Sequence, residues 1–254
     1  MIAIVSDIHS NIEALENVLK DIQRQNITEI ICLGDVVGYG PNPEECIDIV
    51  RKFKFTIMGN HDEALKLSAV GFRGEAQDAI TWTRKLLKPG WLSAPARKER
   101  WDFISELPLT KVDGDILFVH GSPREPTTEY ILSNDADLPM GEKSEKLTQI
   151  FEMFPRLCFV GHTHDPGIIT QEQKFISPPE VNYIFNLDPG EKYIINSGSV
   201  GQPRDGDNRS CYITVDGDKI IYHRIEYDYD LTKDKIYKTN ELDKRLGDRL
   251  VIGH

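Results

Sequence analysis

The start of the chain alternates between short runs of apolar residues and longer amphipathic segments. The first run covers residues 2–5, and residues 11–25 then place apolar side chains at helical spacing. The same order repeats with a run at 30–33, a helical pattern at 43–52 and a third run at 55–58. Two consecutive βαβ units of this kind require a parallel sheet with right-handed crossovers. The chain is therefore predicted to have an α/β fold.

The remainder of the chain is predicted to hold a helical segment followed by more strands. Helical patterns fill residues 64–107, and apolar strand runs return at 116–119 and 157–160 with a helical stretch between them. Residues 166–227 contain several strand-like runs joined by short turns, which favours antiparallel neighbours. From residue 231 onward, the apolar positions predict one closing helix on the surface.

No repeat and no Pro- or Ser-rich linker divides the sequence, so we expect one domain over residues 1–254, with a helical insertion at about 64–107. A chain of this length removes roughly three quarters of its unfolded surface from water and needs no disulfide to form a core. Its four cysteines have neither metal-knuckle spacing nor the density of a small secreted framework. Without a signal sequence or a run of about 18 apolar residues, we expect a cytoplasmic protein with no membrane partner.

Side chains that bind metal ions follow each of five predicted strands, and five of the seven histidines lie at these strand ends. The carboxyl ends of parallel strands meet at one edge of a sheet, so side chains distant in sequence should converge there. Asp7 and His9, like His162 and His164, are two residues apart, a spacing that directs both side chains to one side of an extended segment. The candidate ligands are Asp7, His9, Asp35, Asn60, His120, His162 and His164.

The chemistry of this set indicates two transition metal ions. Two Asp, one Asn and four His suit manganese, iron or zinc, whereas magnesium and calcium favour all-oxygen sites. Seven ligands are too many for one four-coordinate zinc but suit two ions that share a carboxylate, for which we propose Asp35. Turn and cap roles are the alternative for Asp and Asn after a strand. Their joint placement at five strand ends favours the metal centre.

In order and spacing, these motifs resemble those of the calcineurin-like metallophosphoesterase superfamily. The matching segments are Asp7-x-His9, Gly34-Asp35, residues 59–62, His120 and Gly161-His162-x-His164. Similarity to the bacterial branch, with its small phosphodiesterases and diadenosine polyphosphate hydrolases, extends through residues 38–41, 120–124 and 198–204. One departure is Gly38, where many members carry an Asp that is usually not a metal ligand.

This resemblance implies a four-layer α/β/β/α sandwich of the metallophosphoesterase type, with a dimetal site at the strand ends. The first ion would be bound by Asp7, His9, Asp35 and His164. The second would be bound by Asp35, Asn60, His120 and His162. Manganese is the first choice for both ions, and iron, zinc, nickel, cobalt and magnesium are the alternatives.

The same resemblance implies a metal-dependent phosphoesterase. A metal-bridging hydroxide would hydrolyse phosphodiester, phosphomonoester or phosphoanhydride bonds. His61, next to Asn60, would protonate the leaving group or stabilise the transition state, and Asp62 would orient its ring. The substrate would be a small phosphorylated molecule, with nucleotides and diadenosine polyphosphates as leads.

Three other functions stay open on the sequence alone: a serine/threonine protein phosphatase, a non-catalytic scaffold of the same fold, and a nuclease. The scaffold is disfavoured because His61 and all seven ligand positions are present. The nuclease is disfavoured because the formal net charge is -11 and the basic clusters are modest, so we expect no nucleic-acid partner.

Three residues are candidates for substrate contacts. Arg124 and Arg204 lie in Gly- and Pro-containing loops, and a guanidinium group binds phosphate through two parallel hydrogen bonds. A salt bridge within the loop is an equally good interpretation of either arginine. Tyr39 is a candidate wall of the pocket, whereas the three tryptophans are expected in the core.

Overall fold

The computed structural model describes residues 1–67, 69 and 71–254, without the side chain of Met140. The strands are β1 (Ile2–Val5), β2 (Ile30–Cys32), β3 (Phe55–Thr56), β4 (Thr110–Asp113), β5 (Ile116–Val119), β6 (Leu157–Val160), β7 (Gly167–Thr170), β8 (Phe175–Ile176), β9 (Ile184–Asn186), β10 (Tyr193–Asn196), β11 (Ser210–Asp216) and β12 (Lys219–Ile225). The helices are α1 (Ile12–Arg24), α2 (Pro43–Val50), α3 (Asn60–Leu67), α4 (Gly74–Leu87), α5 (Pro95–Ser105), α6 (Glu145–Glu152), α7 (Tyr229–Lys238) and α8 (Lys244–Ile252).

The strands form two six-stranded sheets. The first sheet has the order β3-β2-β1-β11-β12-β9, and the second has the order β4-β5-β6-β10-β7-β8. β1 pairs in parallel with β2, and β2 with β3, as the two predicted βαβ units require. β5 and β10 both pair in parallel with β6 in the second sheet. Antiparallel strands complete each sheet, in agreement with the short turns of the second half of the chain.

Alternation along the strands divides the core into three layers. In β1, Ile4 lies between the two sheets, whereas Ala3 and Val5 face the helices that cover the first sheet. In β6, Phe159 lies between the sheets and Cys158 faces α6 on the outer side of the second sheet. Helix, sheet, sheet and helix are therefore stacked in that order, and the four-layer α/β/β/α prediction is confirmed.

Helix α1 shows how the first crossover is formed. Its start is capped by Asn11, whose side-chain oxygen accepts a hydrogen bond from the backbone N–H of Ala14. Leu15, Val18 and Ile22 then bury one face of the helix against the first sheet. This helix matches the predicted pattern at 11–25 to within one residue at each end.

The end of the chain differs from the prediction of one closing surface helix, because it forms the pair α7 and α8. Asp243 caps α8 by accepting a hydrogen bond from the backbone N–H of Arg245. The chain turns between the two helices so that both Ile236 and Leu250 reach one buried cluster with Ala79 of α4. A single straight helix from residue 231 could not bury both side chains in the same cluster.

Two further features escaped the sequence patterns. The side chains of β4 are all exposed, so this strand has no apolar alternation to reveal it. Trp91 is 98% exposed, so the expectation that all three tryptophans face the core is wrong for this residue. Among the described residues, the helices include none with the length and apolarity needed to cross a membrane.

Candidate active site

The candidate ligands come together at the carboxyl ends of strands from both sheets. Asp7 and His9 follow β1, and Asp35 follows β2, in the first sheet, whereas His120 and the His162 segment follow β5 and β6 in the second. The expectation of a single sheet edge is therefore corrected, since the edges of two sheets meet at the site. These ionisable side chains are all buried, between 0% and 4% exposed.

Asp7, His9 and His164 form a first group of potential metal ligands, with one atom from each within 4.8 Å of the others. The Nε2 atoms of His9 and His164 are 3.1 Å apart. Asp7 Oδ1 lies 3.2 Å from His164 Nε2 and 3.8 Å from His9 Nε2. One carboxylate and two imidazoles thus point at a common centre.

Asp35, His120 and His162 form a second group within the same limit. His120 Nε2 lies 3.4 Å from Asp35 Oδ2 and 3.1 Å from the side-chain oxygen of Asn60, which adds Asn60 to this group. His162 and His164 therefore belong to different groups, although their spacing predicted that they would point the same way.

The backbone explains why the two histidines separate. His162 has φ 67° and His164 has φ 61°, so the segment is not extended, and the alternation of an extended strand does not apply. Asp7 and His9 also lie in the left-handed region, with φ 53° and 48°. Each such residue costs on the order of 1 kcal/mol, which the surrounding structure must offset. The backbone N–H of His162, for example, donates to Asp7 Oδ2 at 3.1 Å.

Asp35 is placed between the two groups. Its Oδ1 accepts a hydrogen bond of 2.8 Å from the backbone N–H of His61, which holds the carboxylate in position. Its Oδ2 lies 3.7 Å from His9 Nε2 and 3.4 Å from His120 Nε2. Gly59 leaves the room for this, because a Cβ there would lie 2.1 Å from Asp35 Oδ1. One carboxylate oxygen is thus anchored and the other faces both groups.

Backbone carbonyl groups orient three of the imidazole rings. The Nδ1 atoms of His9, His120 and His164 lie 2.5 to 3.2 Å from carbonyl oxygens, those of Val37, Leu33 and Gln202. Each Nδ1 is therefore a donor, and Nε2 faces the site. For neutral His9 and His164, this places two nitrogen lone pairs 3.1 Å apart, an arrangement that a cation between them would stabilise.

Two atoms of the candidate metal ligands are buried and have no hydrogen-bond partner among the described residues. They are Asp7 Oδ1 and His162 Nε2. An unsatisfied buried polar atom costs about 1–3 kcal/mol, and more when it is charged. A metal ion would satisfy both atoms, so the residues present fit the dimetal site that the sequence predicts.

The pKa shifts describe two ionised carboxylates, Asp7 and Asp35, and one protonated imidazole, His120, before metals bind. Burial acts to raise the pKa of Asp35, but contact with His120 holds it well below its ordinary value. Burial lowers the pKa of His61 to about 4 and that of His162 to about 3, so both are neutral at pH 7. For His120, burial is outweighed by Asp35, and the pKa rises to about 9.

His61 lies beside the first group, with its ring centroid 4.9 Å from that of His9. Its Nδ1 is buried, and no residue that the structure describes is hydrogen-bonded to it. The prediction that Asp62 orients this ring is wrong, because the Asp62 carboxylate accepts hydrogen bonds from the backbone N–H groups of Val36, Val37 and Gly59 instead. Asp62 thus shapes the loop after β2, and it is a structural residue of the site.

The packing around Gly38 shows why this position, where the family pattern predicts an Asp, has no side chain. It has φ 101°, and a Cβ at this position would lie 2.3 Å from His61 Nδ1. The His61 ring therefore packs directly on the backbone of residue 38. Any side chain at residue 38 would displace the ring.

Of the three residues predicted to contact the substrate, Arg204 and Tyr39 lie at the site, whereas Arg124 is paired elsewhere. Arg204 lies over the Tyr39 ring at 5.7 Å, and Tyr39 packs against His9 and His61. Arg124 instead forms an ion pair with Glu129 and donates to Gln149. The alternative interpretation, a loop salt bridge, therefore describes Arg124.

Tyr130 is a site residue that the sequence patterns missed. Its ring stacks on His162, with centroids 3.9 Å apart and an interplanar angle of 25°. It is 46% exposed, so one part of the ring faces solvent at the mouth of the site. Nothing in the surrounding sequence distinguishes this tyrosine from the other eight.

Comparison with known proteins is consistent with this geometry. Residues 1–195 match the family model described as calcineurin-like phosphoesterase. The chain belongs to the calcineurin-like phosphoesterase family. It is therefore a metal-dependent phosphoric ester hydrolase, and its Asp and His groups are candidate ligands for the divalent metals that this family uses.

Full-length relatives of this phosphoesterase occur in archaea and bacteria. An uncharacterised protein of Methanocaldococcus jannaschii is 38% identical over 263 residues, covering 100% of this chain and 98% of the relative. A metallophosphoesterase crystal structure from Sphaerobacter thermophilus superposes with a TM-score of 0.80 at 37% identity, covering 100% of this chain and 98% of that one. A hypothetical protein of Pyrococcus horikoshii shares the fold, with a TM-score of 0.77 at 20% identity and coverage of 100% and 99%.

Proposed function

We propose that this phosphoesterase uses two metal ions to hydrolyse small phosphorylated substrates. The observation that supports this most directly is the position of Asp35, whose Oδ2 lies 3.7 Å from His9 Nε2 and 3.4 Å from His120 Nε2. A single carboxylate oxygen within reach of both ligand groups is what a bridged pair of ions requires.

The proposed ligand sets follow the two groups of the site. The first ion would be bound by Asp7, His9, Asp35 and His164. The second would be bound by Asp35, Asn60, His120 and His162. The unpartnered Asp7 Oδ1 and His162 Nε2 support one ligand atom in each set. Imidazole and carboxylate together favour manganese, iron or zinc, and manganese is our first choice.

The ions and the His61 side chain would have different roles in the reaction. Bound ions would lower the pKa of a coordinated water and neutralise phosphoryl oxygens. His61, with its pKa lowered to about 4, is neutral at pH 7 and has a ring nitrogen without a partner. A neutral ring N–H can donate a hydrogen bond to a phosphoryl or leaving-group oxygen, so transition-state stabilisation is the role we propose.

Arg204 is our candidate for the residue that binds the substrate phosphate. Its guanidinium donates to Gln202 and stacks on Tyr39, and within the described residues it has no carboxylate partner. A cation held at the mouth of the site without an ion pair is free to bind a phosphoryl oxygen. Tyr39 and Tyr130, which pack against histidines of the site, would then both line the entrance.

The variant R204Q is expected to raise KM by about 10-fold, because a hydrogen bond to a charged group contributes about 1.5–3 kcal/mol. Steady-state kinetics on wild type and R204Q measure this directly. R124Q is the matched comparison, since Arg124 is already paired with Glu129 and its KM should stay within about 2-fold of wild type. A rise of KM in R124Q alone would assign the phosphate contact to Arg124, and an equal rise in both variants would contradict its assignment to Arg204 alone.

A substrate panel tests the proposed function. The protein, supplied with manganese, is assayed with p-nitrophenyl phosphate, its bis ester, ATP, diadenosine tetraphosphate and a phosphopeptide. We expect turnover of one or more of the small substrates. Preference for the phosphopeptide would indicate a protein phosphatase, and inactivity on every member with both metals bound would indicate a non-catalytic scaffold.

Metal removal is expected to destabilise the protein. Ions present at about 100 times their Kd stabilise the folded state by about 2.7 kcal/mol, and this corresponds to about 5–10 °C in Tm for a chain of this size. Differential scanning calorimetry before and after treatment with EDTA, followed by manganese addition, measures the loss and its recovery. A Tm that EDTA leaves unchanged in metal-loaded protein would argue against ions bound by these buried residues.

The cytoplasm is the compartment we propose. All four cysteines are free and buried, at Cys32, Cys46, Cys158 and Cys211. Unpaired thiols in four separate core positions fit a reducing environment.

A further inference from the structure

A cavity lies away from the metal-ligand groups, among the helices between β3 and β4. It has a volume of about 920 Å³ and is lined by side chains of α2, α4, α5 and the segment that joins α4 to α5. Small-molecule sites have volumes of about 300–1,000 Å³. The cavity is therefore large enough for a metabolite, and none of the proposed metal ligands lines it.

The lining of this cavity is strongly basic, although the chain as a whole has a formal net charge of -11. Five cationic side chains and one carboxylate line it, namely Arg84, Lys85, Lys88, Arg97, Arg100 and Glu44. Glu44 pairs with Arg100, which also binds Asp48 through two hydrogen bonds. Within the described residues, the other four cations have no carboxylate partner.

Two of these guanidinium groups hold donors without an acceptor. Arg84 Nη1 and Arg97 Nε are both buried and have no hydrogen-bond partner in the described part of the chain. Arg97 uses its Nη2 to bind the backbone oxygen of Lys85 at 2.5 Å, and Arg84 lies over the Trp101 ring at 5.6 Å. These contacts hold both side chains in place, and each guanidinium group still has N–H donors that the contacts do not use. Those donors that face the cavity are available to a bound anion.

We propose that this cavity, which we call the α4–α5 pocket, binds a small molecule with several phosphate groups. Four cations without a carboxylate partner on one open depression match a ligand with several negative charges better than a single phosphate. The volume of the depression is that of a small-molecule site. Pro89 and the exposed Leu92 are apolar members of the lining, beside the cations.

The α4–α5 pocket is separate from the hydrolytic site but connected to it through helix α3. This helix packs against α4 and α5 and begins with Asn60 and His61. A ligand that orders α4 and α5 is therefore in a position to affect the site. The proposed binding does not depend on hydrolysis, so its test does not require activity.

Isothermal titration calorimetry of the full chain with inorganic tripolyphosphate tests the pocket. EDTA in the buffer keeps divalent ions out of the hydrolytic site and prevents turnover of the probe. We expect saturable binding at one site that weakens as added salt screens the charges. The double variant R84Q/R97Q is expected to lower the affinity by about 10-fold or more. K98Q is the matched control, since Lys98 is an exposed cation of α5 outside the pocket lining.

Two further variants make the outcome decisive. If R84Q/R97Q does not fold, as judged by circular dichroism, K85Q/K88Q replaces it, because both of its side chains are exposed and contribute only charge to the pocket. R204Q is expected to bind tripolyphosphate like wild type. Loss of binding in R204Q would place the anion at the hydrolytic site and overturn the proposal. Equal affinity in wild type and the pocket variants would also overturn the proposal. The same holds if wild type shows no saturable binding.

Discussion

The variant D35N is expected to lose about 1,000-fold or more in turnover, because metal ions contribute several kcal/mol of transition-state stabilisation and about 1.4 kcal/mol corresponds to a factor of ten. Asparagine keeps the shape of the side chain and its Oδ1, so it can still accept the hydrogen bond from the backbone N–H of His61. The change removes the negative charge at Oδ2, the one atom that faces both His9 and His120.

Metal content and activity are measured together in this experiment. D35N should retain less than one ion per chain after dialysis against manganese, and the activity should fall in parallel. D188N is the matched control, since Asp188 is an exposed carboxylate outside the site and its removal should change neither quantity. If D35N kept both ions and most of its turnover, Asp35 would not be a bridging ligand.

The variant H61Q is expected to lower turnover by about 100-fold while both metal ions stay bound. His61 lies beside the first group without belonging to either proposed ligand set, and its Nδ1 has no partner in the protein. Glutamine retains a donor but not the ring that packs between Tyr39 and Phe72, so the donor is no longer held in place. Loss of turnover with retained metal distinguishes this residue from Asp35.

A histidine outside the site supplies the control for H61Q. His223 is stacked on Tyr212 and bonded to Thr214, in the interior of β12, so H223Q should keep turnover within about 2-fold of wild type. Activity of H61Q equal to that of H223Q would remove His61 from the catalytic machinery. Loss of metal from H61Q would make it a ligand, as its proximity to His9 and Asp35 allows.

Short buried strands were predictable because an apolar run of about four residues between turn residues is too short for a helix and fits a buried strand. β1, β5 and β6 have the predicted bounds, and each is bounded by polar or turn residues. β4 was not predictable, since an exposed edge strand with the sequence TKVD has no apolar period. The break between α7 and α8 was also missed, because it depends on tertiary contacts of Ile236 and Leu250 with a helix far away in sequence.

The sequence predicted which residues form the candidate site better than it predicted how their side chains are arranged. Position after a buried strand brought Asp7 and Asp35 to the site, as the rule for parallel strands requires. The separation of His162 from His164 depends on left-handed backbone angles that residue spacing does not reveal. The stacking of Tyr130 on His162 joins a loop to another strand end, so no local pattern could indicate it.

The arginines illustrate the same limit. Arg124 and Arg204 occupy similar loops in the sequence, and only the folded chain shows that one meets Glu129 while the other lies over Tyr39. Asp62 adjoins His61 in sequence, yet its carboxylate turns to three backbone N–H groups of neighbouring loops. Adjacency in sequence and contact in space are independent for side chains at the start of a helix such as α3.

The number of metal ions per chain tests the dimetal centre most directly. Protein dialysed against manganese is freed of loosely bound ions and analysed by inductively coupled plasma mass spectrometry, with the protein concentration from amino-acid analysis. Two ions per chain are predicted, one for each ligand group with Asp35 shared between them. Repeated preparations with no more than one ion per chain, despite excess manganese, would contradict the bridged pair.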